Sequence, residues 1–166
     1  MDIPKKKKRK GKLFIADEML VKLARWLRII GLNVENISGI EEDEILNLIK
    51  AKNAILLTSD KMLHKKAFSE KIEAVLVPDS SLEQQIKTVL YNSKIDIPSN
   101  PKPTICPVCN GKLKEVKKNN IKDKVPKKVY KKHKSFWECK ECGKIYWKGT
   151  HWDEIKKRLK NMKKEI

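Results

Sequence analysis

The chain has 166 residues, room for one ordinary domain or two small ones, and carries 39 Lys and Arg against 21 Asp and Glu, a net charge of +18. That field draws in polyanions, so nucleic acid is the expected partner and an anionic membrane surface its rival. No apolar run approaches the roughly 18–20 residues that span a bilayer, and no apolar stretch of a signal peptide follows the basic start; a spanning helix is excluded and a soluble, cytoplasmic protein is expected.

Residues 1–12 (MDIPKKKKRKGK) are a basic low-complexity tail with nothing to bury, so disorder is expected there. Residues 4–10 resemble a nuclear import signal, and equally suit a nonspecific RNA-binding arm or a solvated tail. Residues 13–16 are a short apolar run, a buried-strand candidate. Met19, Leu20, Leu23, Trp26, Leu27 and Ile30 recur at helical spacing, which predicts an amphipathic helix over 19–30 stopped by Gly31. Strands follow at 33–37, 54–58 and 74–77, with helices at 43–50, 61–69 and 82–91. Strands alternating with helices mean βαβ units and a parallel sheet, and apolar strands such as AILLT fit a sheet covered on both faces. The pattern runs to about residue 97, and the proline-rich stretch 98–103 (PSNPKP) is the expected linker.

Beyond it stand two C-x-x-C knuckles, Cys106-Pro-Val-Cys109 followed by Asn-Gly, and Cys139-Lys-Glu-Cys142 followed by Gly. In a reducing compartment close cysteine pairs favour metal over a disulfide, and four thiolates satisfy tetrahedral zinc fully. No ligand position is left for a catalytic water, so the zinc is expected to be structural. A redox pair and an iron–sulfur cluster are the alternatives. The ribbon spans 104–152, with a lysine-rich insertion over 112–138; a basic helix continues over 153–166. Aromatics interleaved with lysines suit stacking on unpaired bases, which makes Trp147, Trp152 and His151 candidate nucleic-acid contacts. Trp137 and Tyr146 are expected to fill the small core of the ribbon, a role open to Trp147 and Trp152 as well.

The acidic residues form a second constellation. Asp17, Asp60 and Asp79 each follow a predicted strand, and Asp43 opens a helix within Glu41-Glu42-Asp43-Glu44. Ligands of an open parallel sheet bind beyond the carboxyl ends of its strands, so these side chains are expected at one edge. Clustered carboxylates there suit Mg²⁺ or Mn²⁺. Each aspartate also stands where a helix wants a cap or an acidic first turn, and that plainer account stays open.

With these residues in view, the chain resembles the Mut-7 C-terminal RNase domain family, a PIN-like α/β fold followed by a zinc ribbon. The resemblance covers about residues 13–152. It is carried by Phe14-Ile15-Ala16-Asp17-Glu18-Met19-Leu20, by Leu23-Ala24-Arg25-Trp26-Leu27-Arg28 with Gly31, and by Asp43-Glu44-Ile45 and Leu56-Leu57-Thr58-Ser59-Asp60. The first knuckle, Phe136-Trp137-Glu138-Cys139 and the run from Tyr146 to Trp152 complete it. The lysine tail is not part of the family pattern. The resemblance implies a ribonuclease with catalytic Mg²⁺ or Mn²⁺ on Asp17, Asp43 and Asp60. Asp79 follows a less diagnostic strand end. Lys22, Arg25 and Arg28, on or near the polar side of the first helix, are candidate contacts to the phosphate backbone, and a plain solvated helix surface stays open for them. The alternative from another class is a noncatalytic RNA- or ribosome-binding protein with the same fold; a DNA-directed nuclease is a third reading.

Overall fold

The computed structural model describes residues 11–165, so most of the basic tail lies outside the described residues. Lys12, read as tail, is instead tied down by an ion pair to Glu73 at 2.5 Å. The chain folds as two compact units. One runs to Ile97 without residues 28–31; the other combines Arg28–Gly31 with Pro98–Ile166.

In the first unit, β1 (Phe14–Ala16), β2 (Val34–Asn36), β3 (Ile55–Thr58) and β4 (Ala74–Leu76) form a parallel sheet in the order β2-β1-β3-β4. Phe14 stands opposite Val34 on one side and Ile55 on the other, and Leu56 opposite Ala74. The two central strands are wholly buried while β2 and β4 are partly exposed, so the uninterrupted apolar runs at 13–16 and 54–58 belong to the middle of the sheet. Helices α1 (Val21–Ile30), α2 (Glu42–Lys52), α3 (Lys61–Ser69) and α4 (Leu82–Asn92) alternate with the strands and extend to the edge of β4. The expected helix over 19–30 opens as a 3-10 turn, Glu18–Leu20, before α1 begins. Gly31 ends α1 at φ 101°, with Gly31 N–H donating to the Arg28 carbonyl and Leu32 N–H to that of Leu27, the paired bonds of a Schellman cap. Ile15 and Leu56 of the sheet pack with Ile45, Leu46 and Ile49 of α2 and Leu63 and Ala67 of α3. Each fully buried Leu or Ile of that set contributes about 1.5–3 kcal/mol.

The second unit contains an antiparallel sheet, β5 (Leu113–Val116), β6 (Phe136–Cys139) and β7 (Ile145–Tyr146), in the order β5-β6-β7. Leu113 pairs with Cys139 and Trp137 with Tyr146. The lysine-rich insertion is folded: a 3-10 turn (Lys118–Ile121) and α5 (Lys127–Lys132) bring Ile121 and Val125 onto Phe136, with Val116, Val129, Tyr130, Ile145 and Trp147 around them. Its lysines can therefore stay in solvent while a sparse apolar set supplies the core. The final helix α6 (Thr150–Lys164) starts earlier than its basic run implies and buries Ile155, Leu159 and Met162.

Candidate active site and candidate metal centre

The two knuckles close on each other. The sulfurs of Cys106, Cys109, Cys139 and Cys142 all lie within 4.8 Å of one another. Cys106 Sγ is 3.8 Å from Cys142 Sγ, and Cys109 Sγ is 3.4 Å from Cys139 Sγ. Zinc–sulfur bonds of about 2.3 Å at tetrahedral angles put sulfurs about 3.8 Å apart, so the donor set fits a structural zinc ion. The same turn builds both halves. Asn110 and Gly143, each directly after the second cysteine of its knuckle, have φ 66° and 75°. Cys106 N–H donates to the Gly111 carbonyl and Cys139 N–H to that of Lys144, which fastens each turn at its base. Gly111 N–H approaches Cys109 Sγ at 3.4 Å, and Cys142 N–H approaches Cys139 Sγ at 3.5 Å. A Cβ on Gly111 would stand 2.8 Å from Cys139 Sγ, so glycine is required there.

Tyr146 of β7 stands at the sulfurs. Its hydroxyl lies 3.0 Å from Cys106 Sγ. Burial pushes the Cys106 thiol up, but Tyr146 and the Cys109 and Val108 backbone outweigh it and bring the thiol down to about 7. Burial, then the neighbouring Cys106, pushes the Tyr146 hydroxyl up, so it stays a donor. Burial pushes the neighbouring Cys109 thiol the other way, up to about 12.

In the first unit the chain crosses over β1 between β2 and β3, so the strand order reverses at the β1–β3 pair. Ligands of doubly wound sheets sit at the carboxyl end of that pair. Asp17 directly follows β1, and Asp60 stands two residues beyond β3. Thr58, fully buried at the end of β3, joins them: its hydroxyl donates to Asp17 Oδ2 at 3.1 Å and accepts from Asp60 N–H at 3.0 Å. Asp17 Oδ1 takes the Glu18 amide at 2.8 Å. Asp60 Oδ1 takes the Met62 and Leu63 amides at 2.8 and 3.1 Å, capping α3. Both aspartates therefore cap helices, in keeping with the plainer account, and both stand at the switch point as well. An open cleft of about 260 Å³ lies at Asp17, with Glu18, the 37–40 loop and Glu41 around it.

Asp43 and Asp79 are placed differently. Asp43, the second residue of α2, is exposed, and its Oδ1 holds Lys66 Nζ of α3 at 2.6 Å. The Lys66 hydrogen bond and charge hold the Asp43 carboxyl below its usual range. Asp79 is exposed beyond edge strand β4, one strand further out than Asp60. Among the described residues the potential ligands that close on one another are the four sulfurs; Asp17, Asp43 and Asp60 do not converge to that degree. Glu41 shares the cleft with Asp17 where Asp43 was the expected partner from that acidic run.

The comparison with protein families matches the Mut7-C RNAse domain over residues 12–159. The chain belongs to that family. Membership in a ribonuclease-domain family points to a nuclease-type function, and no helix among the described residues is long and apolar enough to cross a membrane. Comparisons with curated proteins and with solved structures return no match.

On this Mut7-C chain the expected nucleic-acid contacts separate. Lys22 and Arg25 are exposed on α1. Arg28 is not: it is 5% exposed, and its guanidinium donates to the Pro107 carbonyl at 3.0 Å, so a structural bond replaces the expected phosphate contact. The signal was present, since Arg28 lies one helical turn beyond buried Ala24 and beside buried Leu27. Trp147 is partly buried against the core of the second unit, its ring 6.4 Å from that of Phe136, which is the packing role left open for it. Trp137, expected in the core, instead lies under Lys148 Nζ, which also stands over Trp152, at 5.7 Å in both cases. His151 is exposed in the first turn of α6, with Glu154 3.9 Å away.

Proposed function

We propose that this Mut7-C domain is a metal-dependent ribonuclease acting at the carboxyl edge of β1 and β3. The observation that carries the reading is the Asp17–Thr58–Asp60 chain of hydrogen bonds at the topological switch point of the sheet. The donors suit a hard divalent cation in kind, since all are carboxylate oxygens. Asp17 and Asp60 would serve as ligands from the edge they occupy. Asp43 would join them by exchanging the Lys66 ammonium for the cation, and Glu41 is a further carboxylate within the cleft. Asp79 would act, if it takes part, from the outer side of Asp60. When bound, Mg²⁺ or Mn²⁺ supplies a Lewis acid and a more acidic water. Thr58 keeps Asp17 oriented through its O–H bond. The two amides on Asp60 Oδ1 hold that carboxylate in one pose and leave Oδ2 available to a ligand.

In this reading the second unit, with structural Zn²⁺ on its four cysteines, holds the RNA. Its insertion carries a dense set of exposed lysines, and contact by Lys22, Arg25, His151 and the edge of Trp152 would add to the grip. A cytoplasmic site of action fits the thiolate ligands. The test replaces Asp17 and Asp60 with Asn, which removes charge while keeping a cap acceptor, and measures cleavage of single-stranded and structured RNA with Mn²⁺. We expect cleavage to be lost and RNA binding kept; undiminished cleavage overturns the site. Binding without any cleavage by the unaltered protein would favour the noncatalytic RNA- or ribosome-binding alternative, and preferred cleavage of DNA would reassign the substrate.

A further inference from the structure

We infer that Met19 and Met62 form an apolar platform beside the carboxylates, and that it receives the bases flanking the scissile phosphate of an unpaired RNA strand. This rests on the ribonuclease reading of the same site. The turns that follow β1 and β3 repeat one tetrapeptide pattern, Asp17-Glu18-Met19-Leu20 and Asp60-Lys61-Met62-Leu63. In both the leucine is buried and the aspartate accepts from the turn's backbone, from the Glu18 amide at Asp17 and from the Met62 and Leu63 amides at Asp60. In both, the methionine is left outside, 73% exposed at Met19 and 71% at Met62. Strands β1 and β3 run parallel with Ala16 opposite Leu57, so the two tetrapeptides leave neighbouring strands at the same edge. Val21, at the start of α1, is exposed as well.

Helix geometry explains why the leucine turns in and its neighbour turns out. It does not explain methionine at the outward position, in a chain where 36% of residues are charged and Lys or Glu would stand there at no cost. The location names the occupant. In the ribonuclease reading, a divalent cation on Asp17 and Asp60 would hold a phosphate at that edge and bring its attached nucleosides against the residues two positions further along each turn. Thioether side chains are flexible and polarisable, and favour contact with aromatic rings, so they accept any base. Paired bases hide their faces in the stack, whereas an unpaired strand presents them. The platform therefore selects single strands with little regard to sequence, while Lys22 and Lys61 beside it meet the backbone.

The experiment uses the whole chain with Met19→Ala, Met62→Ala and the double variant. Both side chains are exposed, so thermal melting should stay unchanged. On a single-stranded oligoribonucleotide with Mn²⁺ we expect KM to rise about 3- to 10-fold for each variant, with kcat unaltered. On an abasic strand of equal length we expect no change. Unchanged KM in the variants, with cleavage abolished in Asp17→Asn, overturns the platform and leaves the ribonuclease reading standing. A wild-type chain that cleaves nothing overturns the ribonuclease reading instead, and methyl-labelled methionine NMR then decides the platform by itself. The ε-methyl signals of Met19 and Met62 should move on adding the oligoribonucleotide and not on adding inorganic polyphosphate, while buried Met162 serves as the fixed reference. Signals that stay still, or that move equally with polyphosphate, overturn it.

Discussion

Thr58 was legible only as one residue of the run that carries the family resemblance, yet two aspartates depend on it. It is fully buried, with its hydroxyl engaged on both sides. Thr58→Val keeps the shape and removes donor and acceptor together, leaving Asp60 N–H without its partner. We expect a loss of about 1–3 kcal/mol, read by urea unfolding, and a fall in Mn²⁺-dependent cleavage larger than that stability loss explains. Asp43 carries a pH dependence of its own. Lys66 lowers its pKa in the folded chain, so the contribution of the pair is present above the usual carboxylate value of 3.8 and disappears as pH falls through the lowered folded value. NMR titration should find the Asp43 carboxyl below 3.8, and Lys66→Met should return it toward that value. If divalent metal displaces Lys66, the lysine ε-methylene signals will shift on adding Mg²⁺. Unmoved signals would take Asp43 out of the proposed metal site.

The same logic of a small requirement with a large consequence governs the knuckle as an element. Its turn needs a left-handed residue after the second cysteine, supplied by Asn110 in one copy and Gly143 in the other. It also needs empty space at Gly111, where a Cβ would meet Cys139 Sγ at 2.8 Å and Glu141 Cγ at 2.7 Å. The glutamate side chain can swing away, but the sulfur cannot move without leaving its ligand position. Gly111→Ala is therefore expected to weaken zinc binding, seen as faster loss of the ion to a chelator, whereas Lys140→Ala, an exposed change in the opposite knuckle, should not. At the first knuckle itself, Arg28, expected on the polar side of its helix, stands against the Pro107 carbonyl. A basic residue one turn beyond a buried position is better read as a candidate hydrogen-bond donor than as a phosphate contact.

For the molecule as a whole, the division of labour makes a separable expectation. Cys106→Ser removes one of the four candidate zinc ligands, and the binding energy of a structural metal is folding energy for the unit that holds it. We expect residues 104–150 to lose protection from amide exchange while the β1–β4 sheet keeps its own, since that sheet has its own core. RNA affinity should fall with the ribbon, and Mn²⁺ affinity at the aspartate edge should persist. Parallel loss of both would show that the two units do not act separately.

How much of this was legible depended on the range of the interaction. Alternating apolar runs, the Gly31 cap and the paired C-x-x-C spacing are local signals, because strand burial, left-handed caps and tetrahedral thiolate sites each need only a few neighbouring residues of the right type. The four parallel strands, the helices between them and the convergence of the sulfurs follow from those runs. Strand order was not a local matter. Only the tertiary structure puts β1 beside β3, and with that the Asp17 and Asp60 turns side by side and Thr58 between them. Side-chain competition was equally invisible along the chain. Asp43 is taken up by Lys66, Trp147 by the ring of Phe136, and Lys148 by two tryptophans. The sequence by itself determined which chemical groups this protein has and what backbone carries them; the tertiary structure decided which of those groups face one another, because that choice is made by packing between residues far apart in the chain.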